Sequence, residues 1–149
     1  MQGQIERDLK TALLAGDKTT AETLRVLKSA ILNEAISQNA RDTGLSDEQI
    51  QKILSKESKK RQEAAGLYKQ GGSDERAQAE LAEKAIIDGY LPEQMGEEQI
   101  AKIVDQQIAA AGSPTMQDMG KIIGAVRSQT GSQADGAVIA RLVKERLTP

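Results

Sequence analysis

This chain must build its interior almost without rings. Of its 149 residues only Tyr68 and Tyr90 are aromatic, and phenylalanine and tryptophan are absent. The core therefore falls to Leu, Ile, Val, Ala and Met, which interlock between helices, whereas sheets lean on aromatic and β-branched cross-strand pairs. A hydrophobic content of 38% is sufficient for a packed core at this length. These features predict an all-α fold.

The apolar residues recur at helical spacing. Ile5, Leu9, Ala12 and Leu13 form a first stripe that ends at Gly16, a residue suited to a left-handed helix cap. Leu24, Leu27, Ile31 and Ala35 form a second, with Leu32 and Ile36 beside it. That band is wide enough for a central helix. Ser46 and Gln49 have capping-box spacing at the head of a third helix running to about Gln70. Gly71 and Gly72 break it, and Ser73 is placed to cap a fourth helix ending near Gly89. Pro92 cannot continue a helix and biases Leu91 toward extended backbone, so a division is expected there. Beyond it three shorter helices are predicted, Glu97 to Ala111, Thr115 to Gln129, and about Gly136 to Leu147. The expected architecture is thus a bundle of about four helices over residues 1–90 and a three-helix unit over 91–149.

Histidine and cysteine are both absent. That removes the usual general base, thiolate nucleophiles, disulfides and Cys/His zinc sites. Carboxylates alone remain, and bundle di-metal sites normally add Glu-x-x-His spacing. The expectation is a chain with no catalytic residues, no cofactor and no metal. No run has the length of a membrane span, and MQGQIERDLK lacks the basic-then-apolar order of a secretory leader, so a cytoplasmic protein without membrane contact is expected. Twenty basic against 22 acidic residues argue against a diffuse basic coat. Any nucleic-acid contact must be local.

One stretch, DMGKIIGAV from Asp118 to Val126, has the look of a phosphate loop. A P-loop requires G-x-x-x-x-G-K followed by Ser or Thr, between a strand and a helix. Here Ile122 follows Lys121 and the upstream glycine is Gly112. Met116, Met119, Ile123 and Val126 instead mark an amphipathic helix, with Thr115 and Asp118 placed to cap it. A helix-interior glycine costs roughly 1 kcal/mol relative to alanine. Gly120 and Gly124, four apart, therefore call for a close approach, either by a neighbouring helix or by an external partner such as an RNA backbone. Lys121 and Arg127 stand nearby to neutralise phosphate.

YLPEQMGEEQI, DMGKIIGAV and ADGAVIARLVKERL resemble the C-terminal signature of the GatB/YqeY family, and LRVLKSAI and KESKKRQEA resemble its first half. The resemblance spans nearly the whole chain. It implies a two-part helical fold related to the tail of the B subunit of glutamine-dependent aminoacyl-tRNA amidotransferase, which contacts tRNA while catalysis occurs elsewhere. A tRNA-binding accessory role is implied, with any carbon-nitrogen ligase activity belonging to the larger enzyme. Two departures stand out. Gly96 replaces a serine-like cap, and Ser132 and Gln133 occupy a turn where the family commonly has a basic residue, so modest affinity is expected.

Under that resemblance the candidate tRNA contacts are Gly120, Lys121, Gly124, Arg127, Gly136, Arg141 and Lys144. From Gly112 onward there are five basic residues against three acidic. The alternative is a solvated helix face with cations near C-termini. Lys52, Lys56 and Lys59 lie opposite the apolar stripe of the third helix and are read first as a solvent face. Glu57 and Arg61 fall inside that stripe, so they are expected to form a structural ion pair with each other and with neighbours such as Asn33. Tyr90, Leu91 and Pro92 are read as the joint between halves. A second reading makes the chain a helical interaction module for an amidotransferase or aminoacyl-tRNA synthetase.

Overall fold

Gly16 ends the first helix as its lack of a Cβ allows. In the computed structural model, which describes residues 1–148, its φ is 71°, and the Asp17 amide reaches back to the Ala12 carbonyl at 3.0 Å. α1 (Gln2–Ala15) buries Ile5, Leu9 and Ala12. Asp17 then caps α2 (Lys18–Ser37), its carboxylate accepting from the Thr20 amide at 3.2 Å. α3 (Asp47–Gln70) opens on a complete capping box between Ser46 and Gln49. Its 24 residues make it the longest helix among those described. α4 (Asp74–Asp88) starts at Ser73, but that side chain makes no capping bond. Asp74 and Glu75 in its first turn instead face the positive end of the helix dipole.

α2 packs on α1, α3 and α4, burying Leu24, Leu27, Ile31 and Ala35. Leu32 and Ile36 depart from expectation, at 45% and 50% exposure. The apolar band is wider than the arc these neighbours cover, so its outer edge meets water. Ile50 and Leu54 of α3 and Ile87 of α4 complete this core, with Tyr90 and Leu91 packed against it. Tyr90 donates its hydroxyl to Asp8 Oδ2, which brings the end of α4 onto α1.

The contacts divide the chain into two compact units, Met1–Leu91 and Pro92 onward. In the second, α5 (Glu97–Ala110), α6 (Met119–Thr130) and α7 (Gly136–Leu147) enclose Ile100, Val104, Ile122, Val126, Ile139, Leu142 and Val143. Gln99 Oε1 accepts from the Gly96 amide at the head of α5, half of a capping box that glycine cannot reciprocate. α6 differs from the expected helix because a 3-10 turn, Met116–Asp118, precedes it. That tighter winding advances the helical frame. Met116 is therefore carried off the inner face of α6 and is 42% exposed, while Ile122, absent from the expected stripe, is buried on the same face as Val126 four residues on.

The polar residues inside the α3 stripe are accommodated by α4. Arg61, only 8% exposed, donates to Glu57 Oε2 at 2.9 Å and to Glu83 Oε2 at 3.1 Å. Its second partner is thus Glu83 of α4, whereas Asn33 of α2 is exposed. Ser58 donates to Asp88, which also pairs with Lys84. No strand occurs among the described residues.

Candidate nucleic-acid interface

α6 turns its glycines outward. Ile122, Val126 and Thr130 are buried on one side, and Gly120, Lys121, Gly124 and Ser128 lie exposed on the other. A Cβ built on Gly120 or Gly124 would meet nothing within 4 Å. No neighbouring helix approaches this stripe, so internal packing does not account for the two glycines. They leave a strip of bare backbone open to solvent.

Gly136 is different. A Cβ there would fall 2.5 Å from Arg127 Nη2 and 3.3 Å from Cζ. The close approach it permits comes from the chain's own Arg127, whose guanidinium lies across the first residue of α7. Asp135 caps that helix, accepting from the Ala137 amide at 2.7 Å. At the other end of the pair the Thr148 hydroxyl reaches Met116 Sδ at 3.9 Å. These two contacts lay α7 back along α6, so Lys121, in the first turn of α6, and Lys144, in the last turn of α7, lie toward the same end.

The cations are not equivalent. Arg141 pairs with Glu97 at 2.7 Å and Glu145 at 3.1 Å, and the hydrogen bonds it donates, that to Glu97 first, raise its guanidinium pKa. Arg146 pairs with Asp105 at 2.9 Å. These pairs fasten α7 to α5 and neutralise the two arginines locally. Among the described residues, Lys121 and Lys144 form no ion pair. Spacing along the sequence shows only the Arg141–Glu145 pair, four apart on α7, because the shorter partner Glu97 is contributed by another helix.

The other expected sites, Pro92 apart, fall in the first unit. Lys52, Lys56 and Lys59 are exposed on α3, with Lys52 3.9 Å from Glu48. Burial tends to raise the Glu57 carboxyl pKa, but hydrogen bonds from Arg61 and then Lys60 outweigh it and leave it lowered. Burial first, and then Asp8, push the Tyr90 phenol up. Tyr90 and Leu91 belong to the first unit's own core, and Pro92 begins the second unit. The partners Asp8 and Glu83 carried no local signal, because each lies on a different helix from the residue it serves. A cavity of about 220 Å³ beside the α1–α2 turn is lined by Leu13, Ala21 and Arg25, with Asp17 already committed to its cap. Among the described residues no three acidic side chains gather where a metal could sit, and no helix is long and apolar enough to cross a membrane.

The family profile described as Yqey-like protein matches residues 2–147. The chain belongs to the YqeY-like family. Among curated proteins this YqeY-like chain is similar to "Altered inheritance of mitochondria protein 41, mitochondrial" of Eremothecium gossypii, 34% identical over 87 residues. The matched stretch is 58% of this chain and spans 46% of that relative's length.

Proposed function

We propose that this YqeY-like chain is a tRNA-binding accessory protein, non-catalytic by itself, that grips the RNA backbone with the outer face of α6 and α7. The observation that supports this most is the open glycine strip. Gly120 and Gly124 expose helix backbone that no internal neighbour uses, at a cost in helix stability, beside Lys121. A phosphate backbone is the kind of ligand that needs both close approach and a cation free to exchange its counterions. Lys144 adds a second such cation toward the same end. With only two tyrosines in the chain, base stacking contributes little, and recognition rests on shape and phosphate. Any carbon-nitrogen ligase chemistry would reside in a larger amidotransferase, and a cytoplasmic location is part of the proposal.

Fluorescence anisotropy of labelled tRNA across a salt series tests this. Salt-sensitive binding that falls in a folded Lys121→Ala, Lys144→Ala variant supports the reading. An absence of binding even at low salt overturns it. The observation favouring a protein-interaction module is the set of exposed apolar side chains on the first unit, Leu14, Val26, Leu32 and Ile36. In that case an amidotransferase or aminoacyl-tRNA synthetase would co-purify with the chain after RNase treatment.

A further inference from the structure

We propose that the far end of the α3–α4 hairpin opens as an independent unit, from its Gly71–Gly72 turn back to a clasp formed by Glu57, Arg61 and Glu83. The hairpin has two unlike halves. Near its base, Ile50 and Leu54 of α3 and Ile87 of α4 belong to the core shared with α1 and α2. Beyond the Arg61–Glu83 bond no residue of either helix joins that core on the turn side. The fully buried residues there are Ala65 and Ala77, the smallest hydrophobic side chains a helix pair can bury, with Tyr68 half-buried beneath the Arg76 guanidinium at 5.9 Å. Leu67, the largest apolar residue of that stretch of α3 apart from Tyr68, points away and is 69% exposed.

Local helix signals weaken the same end. Gly66 lies inside α3 with nothing within 4 Å of a built Cβ, so its low helix propensity is not offset by packing. Ser73 starts α4 without a side-chain capping bond. Little apolar burial and weak local propensity place a segment at the low end of the opening free energies found within one fold. The clasp interrupts this weakness. Arg61 is buried and bonds both helices, so opening past it breaks its bonds to Glu57 and Glu83 together and leaves Glu57 with Lys60 alone.

Amide hydrogen exchange of the full chain, followed residue by residue by NMR, tests the proposal. Amides from Leu67 to Gln70 in α3 and from Gln78 to Ala82 in α4 should exchange at least about ten-fold faster than those of Leu54 and Ser58. Gly66→Ala fits without contact and should slow the tip amides about five-fold while leaving Leu54 and Ser58 unchanged. Glu83→Gln weakens the clasp from its more exposed side and should extend fast exchange past Arg61 toward the base. Equal protection along the whole hairpin, a Gly66→Ala effect spread evenly over the first unit, or an opening boundary unmoved by Glu83→Gln would each overturn it.

Discussion

Replacing Gly124 with alanine should make the protein more stable and its RNA binding weaker. Gly124 lies within α6, is exposed, and a Cβ at that position finds no atom within 4 Å. The substitution therefore adds no clash. It removes the backbone entropy that glycine carries into a helix, a gain of about 1 kcal/mol in a helix interior. Gly120, the second residue of α6, should give less, since first-turn positions are only partly helical in their energetics. The double variant should thus gain about 1.5 kcal/mol, and for a unit of this size each kcal/mol raises Tm by roughly 4–8 °C. The assay is thermal unfolding by circular dichroism, because both tyrosines lie in the first unit and tyrosine fluorescence would miss the change. Paired with it, tRNA anisotropy reads whether two added methyl groups keep a phosphate backbone from the helix. A loss of stability in either single variant would refute the reasoning, because it would mean that an internal neighbour uses the glycine. A gain in stability with unchanged binding would leave the glycines open but not at the RNA contact.

Further outcomes follow from the same geometry. Lys121→Ala with Lys144→Ala should flatten the salt dependence of tRNA binding by close to two phosphate contacts, whereas Arg141→Ala, already held by Glu97 and Glu145, should change it less. Arg61→Ala should destabilise the first unit by about 2 kcal/mol in urea titration, since it removes the bonds to Glu57 and Glu83 and leaves the half-buried Glu57 with Lys60 alone, and a paired Glu57→Leu, Arg61→Met replacement should recover most of that. The lowered Glu57 pKa means that its contribution is full above the ordinary carboxylate range and is lost as pH falls through the lowered value. Glu57→Gln should accordingly flatten the acid limb of the stability profile. The raised Tyr90 pKa has the opposite sign, its contribution present below the ordinary phenol value of about 10 and lost as pH rises beyond it, so Tyr90→Phe should flatten the alkaline limb.

Much of the fold could be read from local pattern because helices obey local rules. The cap at Gly16, the box at Ser46 and Gln49, the end of α3 at Gln70 and the span of α7 each depend on residues within one or two turns. The errors arose where a neighbour or a change of winding intervened. Leu32 and Ile36 share the apolar character of Ile31 and Ala35, and only the placement of α1, α3 and α4 leaves them outside. Met116 left the core face because a 3-10 turn, not α-helix, carries it, whereas Ile122 lies on that face by its spacing of four from Val126.

The candidate site divides the same way. The sequence by itself determined which cations and glycines were present, and that no histidine or cysteine chemistry could be built from them. Tertiary structure decided which of them are open. It tied Arg141 to Glu97, laid Arg127 over Gly136, and left Gly120, Gly124, Lys121 and Lys144 facing solvent. The physical reason is range. Propensity, capping and periodicity act over a few residues along one helix, whereas the neutralisation of a charge or the covering of a backbone depends on side chains that the fold brings from another.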